Sequence, residues 1–404
     1  MPLAPAMNVT SQPTSQLTSD GPALLPGAAH FHVHEEPAYA PSGTGEHLYV
    51  EIEKEGLNTD IVAESLAKAC GKRTHDVGYA GRKDRHAVTR QWFSVHFGDE
   101  AKLAQLSELV PTNGRVTVLN VTRHANKLRL GHLAGNRFRL GLTRVTDPDG
   151  LSAALMTLAH TGIRNRFGIQ RFGLGGANLH VARAWATGDL RSAVARLVDP
   201  SGAWTWGAAL PEGFRSGPEG RVLGVLRKGA DERAALRAAG HQLKDLIASA
   251  AQSAIFNAVL EGRASAGLLH RFQVGDVGCT TFGAPFTVTA EDLDQTNARS
   301  VPGVLDALTT GPLPGMSRLQ PLPEVLAQEQ SWAANTGIDW SWFAKGHLFE
   351  APGERRPLLM RFREAPHVTP DGAITWVEFS LPSGGYATEV LTQVGVSLPT
   401  DRRG

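Results

Sequence analysis

Apolar and polar side chains alternate between residues 47 and 53, with Leu48, Val50 and Ile52 on one side and Tyr49, Glu51 and Glu53 on the other. A period of two predicts a half-buried strand. Beyond it Val62, Leu66 and Ala69 recur at helical spacing, and Thr59 stands where it would cap that helix. Strand patterns return at 91–97, 116–121 and 138–142, and a helix is expected over 151–159 after the Asp-Pro-Asp-Gly turn at 147–150. From Arg164 to about Pro352 the pattern changes: helical stretches such as 246–261 alternate with Gly- and Pro-rich loops, among them 199–220. Strand character reappears at 374–381, followed by Pro382-Ser383-Gly384-Gly385 and a helix from about Thr388. An α+β beginning, a different middle and a β-type ending predict one α+β domain interrupted by an insertion.

Composition adds limits. The first thirty residues are rich in Ser, Thr, Pro, Gln and Ala, with Asp20 the only Asp, Glu, Lys or Arg among them. They are expected to form a flexible tail with too little apolar surface to offset ordering entropy, and they lack the basic start of a secretory signal. No apolar run approaches about 18 residues, so a cytoplasmic protein without a membrane span is expected. Cys70 and Cys279 are the only cysteines, which excludes a disulfide framework and a cysteine-based zinc site.

Lys plus Arg total 40 and Asp plus Glu 39, a formal charge of +1 that by itself weighs against a nucleic-acid partner. The distribution says otherwise. Arg123, Lys127, Arg129, Arg137, Arg139 and Arg144 lie between 121 and 146 with no acidic residue among them. Upstream, Lys72, Arg73, Arg82, Lys83, Arg85 and Arg90 face only Asp76 and Asp84. Such clusters can track a phosphate backbone, or serve as a solvated strand face that keeps a sheet edge from pairing. At period two Asn136 and Phe138 share a side with Leu140 and Leu142, so Phe138 reads either as a base-stacking ring or as core.

The run AGRKDRHAVTRQWFSV at 80–95 places one carboxylate, Asp84, in a Gly-containing, cation-rich turn between two strands. Bracketed by Lys83 and Arg85, it is expected to stay ionised, which suits a nucleophile or charge stabiliser better than a general acid. A surface salt bridge is the plainer reading of such an Asp.

This run resembles the catalytic signature of the TruD family of pseudouridine synthases, which make pseudouridine at position 13 of tRNA. The resemblance extends over nearly the whole chain after the tail. Phe31, Val33 and Glu35 are similar to the family's opening Phe-x-Val-x-Glu strand, and GEHLYVEIEKEGLNT at 45–59 to its next segment. KLRLGHLAGNRFRL at 127–140 resembles the target-uridine strand and NRFGIQRFG at 165–173 the hinge into the family's insertion domain. AAQSAIFNAVL at 250–260, GPLPG at 311–315 and LPSGGYATEVL at 381–391 resemble later markers in the same order. The chain departs from the family where Arg164-Asn165-Arg166 replaces the usual Pro-Asn-Tyr, and where Leu25 and Ala28-Ala29-His30 precede the opening Phe in place of a Lys and an acidic pair.

The resemblance implies a mixed-sheet pseudouridine synthase catalytic domain interrupted by a mainly α (α+β) insertion domain. Its expected division is 1–30 tail, 31–160 first catalytic part, 161–353 insertion and 354–404 final catalytic part. It implies Asp84 as the catalytic group at the sugar, with Lys83 as its basic partner in place of the family's lysine. Phe31, Phe138 and Tyr386 become the aromatic wall for the flipped uridine and Asn136 the amide that reads its Watson–Crick edge. Lys83, Arg85, Arg123, Lys127 and Arg129 become phosphate contacts to the tRNA partner. No cofactor, membrane or obligate protein partner is implied. Two alternatives remain at this point: the same chemistry on another RNA, and a tRNA-binding or folding protein without catalysis. His30, His32 and His34 alternate along one strand face, a spacing that suits a metal, but a solvated face is the expected outcome and no metal site is assigned.

Overall fold

The computed structural model describes residues 21–211 and 217–399. They divide into two compact units, one formed by 21–163 with 360–399 and the other by 164–359.

The first unit is built on a nine-stranded mixed sheet. Its strands are β1 (Ala23–Leu24), β2 (Phe31–Pro37), β3 (His47–Glu55), β4 (Val77–Tyr79), β5 (Val88–His96), β6 (Arg115–His124) and β7 (Leu133–Thr143), followed late in the chain by Glu364–Asp371 and Ile374–Pro382. From one edge the order runs Glu364–Asp371, Ile374–Pro382, β7, β2, β5, β3, β6, with β1 on β7 and β4 on β5. The β2–β5 pair is parallel and its neighbours are antiparallel, so strands from distant parts of the chain meet at the centre. The expected strands are present and longer than their patterns suggested.

Helices cover one face. α1 (Thr59–Ala69) buries Val62 and Leu66 against Leu48, Val50, Ile52, Phe93 and Val95. α2 (Pro148–Thr161) starts at Asp147, whose side chain accepts the Gly150 N–H at 2.8 Å, with Pro148 pre-set for the first turn. Its Leu151 and Leu155 join Val390 and Leu391 of the helix Ala387–Gln393 over Phe138, Leu140 and Leu142. The opposite sheet face carries paired charges: Arg139 with Glu378 at 3.1 Å, Arg90 with Glu53 at 2.7 Å, and Arg137 with Glu364 at 2.5 Å.

Three expectations need correction. Thr59 does not cap α1; Asn58 takes that position, and the Thr59 hydroxyl is used elsewhere. The expected tail extends through residue 30, yet within 21–30 Ala23–Leu24 forms β1 on β7 and Ala28–His30 a short 3-10 turn, and residues 1–20 lie outside the described residues. Leu24 is buried, pairs with Leu142 and donates its N–H to Ser397, which offsets the ordering entropy the composition alone could not. The loop expected at 199–220 ends in a helix, Gly217–Leu226, and its residues 212–216 lie outside the described ones.

The second unit is mainly helical around the long helix His241–Ser265, which buries Leu243, Ile247, Ala251, Ile255 and Val259. A four-stranded sheet of Pro285–Thr287, Val277–Thr280, Ala307–Leu313 and Glu354–Pro357 completes it. Its first segment is fixed by Asn165, which donates to the Pro357 carbonyl at 2.9 Å, and by reciprocal bonds between Phe167 and Asn257. Arg166 reaches Glu261 at 2.8 Å and Arg164 at 3.5 Å, so the two arginines peculiar to this stretch are turned onto the long helix.

Candidate active site

Asp84 lies on the turn that joins β4 to β5, and its side chain is exposed. One carboxylate oxygen accepts the His86 backbone N–H at 2.9 Å, which fixes the direction of the group. The turn is held from beneath by three elements. Lys54 of β3 donates to the carbonyls of Leu57 (2.7 Å), Asp84 (3.2 Å) and Lys83 (3.4 Å). The Thr59 hydroxyl of α1 accepts the Lys83 N–H at 2.8 Å and donates to Gln91 at 3.0 Å, and Gln91 of β5 donates to the Gly81 carbonyl at 2.9 Å. At Gly81 a β-carbon would stand 2.9 Å from the Lys83 ammonium, so a side chain there would push on the Lys83–Glu35 pair.

Lys83 overturns two expectations. Its side chain is buried and its ammonium is ion-paired with Glu35, so it neither brackets the Asp84 carboxylate nor presents a charge to phosphate. The reason is electrostatic. Glu35 points inward from β2, burial pushes its pKa up, and the Lys83 charge is the main influence opposing that rise. Removing one partner of such a pair strands the other. Glu35→Ala should destabilise the protein by about 3–5 kcal/mol in urea unfolding, and combining it with Lys83→Met should recover most of the loss.

Glu35 also connects the turn to the next strand, because it is the register partner of Asn136 on β7. Asn136 is half-buried, and its side-chain oxygen is enclosed without a hydrogen-bond partner in the protein. Buried polar atoms are nearly always paired, so an orphaned acceptor marks a position suited to a ligand donor. Leu381 flanks Asn136 on its other side, and the chain then turns through Pro382 to half-buried Tyr386 at the start of the last helix. Phe31 and Phe138 are largely core: they meet edge to face at 6.5 Å, and Phe138 packs on Phe379 at 5.7 Å. Both rings are therefore packed into the core rather than standing free as a wall.

The basic residues are more dispersed. Arg85 is exposed and donates to the His86 ring at 3.0 Å. Lys127 reaches the His75 carbonyl, and exposed Arg129 lies on the segment whose Gly131 N–H bonds to the Ala80 carbonyl at the start of the Asp84 turn. Arg123 is on β6, separated from β7 by three strands, with its guanidinium on the carbonyls of Gly98 (3.3 Å) and Gly45 (3.5 Å). Thus the fold links Asp84, Asn136, Phe31, Phe138 and the Tyr386 turn, and leaves Arg123 at the sheet edge.

The family model for tRNA pseudouridine synthase D (TruD) matches residues 21–203 and 207–394. The chain belongs to the TruD family. It is 36% identical to the tRNA pseudouridine synthase D of Geobacter sulfurreducens, over 94% of this chain and 95% of that one. It is 33% identical to the Aeromonas hydrophila protein of the same name, over 91% and 88%. The Methanosarcina mazei crystal structure described as TruD superposes with a TM-score of 0.68 over 93% of each chain at 24% identity, a likeness of fold.

Of the three residues that seat the Asp84 turn, Lys54 and Gln91 are not among the candidates read from the sequence, and Thr59 is among them only as a helix cap. Lys54 carried a signal: it continues the inward row of Leu48, Val50 and Ile52, where an ammonium is out of place. The three alternating histidines have separate uses. His30 and His32 bond the carbonyls of Pro26 and Ala29, each at 2.9 Å, and His34 faces Glu51 at 3.5 Å. Among the described residues no group of three or more His, Cys, Asp or Glu side chains is arranged to hold a metal ion. Nor is any described helix long and apolar enough to cross a membrane.

Proposed function

We propose that this chain isomerises uridine to pseudouridine at position 13 of tRNA, with Asp84 as the group that acts at the sugar. The observation that carries the reading is the linkage, through Lys83 and Glu35, of an exposed and firmly seated carboxylate to an enclosed amide oxygen without a protein partner. The reaction breaks the N1–C1′ bond, turns the bound uracil, and joins C5 to C1′. Atoms and electrons balance within the nucleotide. Asp84 acts either as nucleophile at C1′ or as the base that begins elimination on the sugar, and both routes need an ionised carboxylate held in one direction. A uridine inside folded tRNA must leave its stack to reach it.

In this reading the orphaned Asn136 oxygen accepts the uracil N3–H, while Phe31, Phe138 and Tyr386 supply the apolar lining. Arg85, Lys127 and Arg129 contact phosphate near the turn, and Arg123 contacts it farther along the sheet. The insertion domain expected at 161–353 corresponds to the compact unit 164–359, whose sheet takes in Glu354–Pro357. Mapping pseudouridine in cellular RNA with and without this protein tests the reading. Loss confined to position 13 of tRNA is expected; loss at another RNA would move the target, and an unchanged map would overturn the function.

A further inference from the structure

We infer that Lys54 is a positioning residue for the reaction, its ammonium clamping the Lys83 and Asp84 carbonyls from below and so aiming the Asp84 carboxylate. The inference rests on Asp84 carrying the chemistry.

An ammonium that is 1% exposed is costly, and Leu or Met would extend the apolar row of β3 without that cost. All three of its hydrogen bonds go to main-chain carbonyls, two of them in the catalytic turn. Fixing the carbonyl of Asp84 fixes the plane from which its side chain departs, and the His86 N–H then holds the carboxylate at its other end. The clamp therefore acts on orientation, where a displacement of about 1 Å can cost about 10²-fold in rate. Lys83, the neighbouring cation, is turned away to Glu35 and cannot substitute.

The clamp also depends on protonation. Burial lowers the Lys54 pKa to about 8; the Asp84 charge works against this lowering and the Lys83 charge adds to it. On β3 itself Glu53 and Glu55 alternate to the other face, paired with Arg90 and Arg115. Across the strand Lys54 faces Thr89 of β5 and Val116 of β6, neither of which titrates. Below about pH 8 the ammonium holds the carbonyls with full charge, and above it a neutral amine holds them weakly.

The test compares wild type, Lys54→Met, Lys54→Gln and Asp84→Asn on one tRNA transcript from pH 6 to 9, with kcat, KM, tRNA Kd and thermal midpoint recorded. Lys54→Met should lower kcat about 10²-fold at pH 7 while KM and Kd stay within about threefold. Wild-type kcat should decline as pH rises through about 8, and this limb should be absent in the variant. Wild-type kcat in Lys54→Met, a loss confined to KM, or the same alkaline limb in both proteins would overturn the role. If Lys54→Met fails to fold, Lys54→Gln and the wild-type profile decide, and a flat wild-type kcat from pH 7 to 9 overturns it. An inactive wild type would instead refute the proposed reaction, and an active Asp84→Asn the choice of catalytic group.

Discussion

Asp84→Asn should abolish pseudouridine formation, with kcat down by about 10⁴-fold or more, while tRNA Kd changes by no more than a few fold. The separation follows from the geometry. An Asn oxygen can still accept the His86 N–H, and Lys54, Thr59 and Gln91 hold the turn through backbone atoms, so the variant keeps the wild-type loop. It lacks only the anion that both routes at the sugar require. Because the side chain is exposed, stability should shift by less than about 0.5 kcal/mol. Single-turnover assays with a binding isotherm and a thermal melt check all three numbers. A fall in affinity matching the fall in rate would place Asp84 in RNA binding instead, and native turnover would remove it from the mechanism.

Asn136→Ala is expected to behave differently. Its side-chain oxygen is enclosed and unpaired, so removing it breaks no hydrogen bond in the free protein and relieves a desolvated acceptor. The variant should therefore be as stable as wild type or slightly more so. In the complex the loss of a bond to the uracil should cost about 1–3 kcal/mol, roughly 5- to 150-fold in kcat. The tRNA Kd should stay within about threefold, because phosphate contacts carry most of the affinity. A melting temperature several degrees lower would mean that Asn136 has a structural partner. A uniform affinity loss with normal turnover would refute base reading.

How much of this was legible in the sequence depends on what kind of fact is asked for. A period of two placed Asn136, Phe138, Leu140 and Leu142 on one side of a strand, and that side packs on helices while Arg137 and Arg139 face outward onto carboxylates. The same pattern could not separate a stacking ring from a core ring, and Phe138 proves to be mostly core. Adjacency misled at Lys83, because neighbours in a tight turn point in different directions and a buried carboxylate from β2 outweighs the one next door. Thr59 misled for a related reason: a hydroxyl at a helix start can cap it or hold another segment, and that choice depends on strand β5, distant in sequence. Net charge was the least informative number. Both arginines on β7 are neutralised where they stand, and the exposed cations Arg85 and Arg129 belong to the Asp84 turn and to the segment bonded to its start.

The most direct test of the account is made on an unmodified tRNA transcript incubated with the purified wild-type protein and, in parallel, with Asp84→Asn, followed by position-resolved pseudouridine mapping. The account predicts stoichiometric pseudouridine at position 13 with the wild type and none with the variant. Equal modification by both proteins, or none by the wild type, would contradict it.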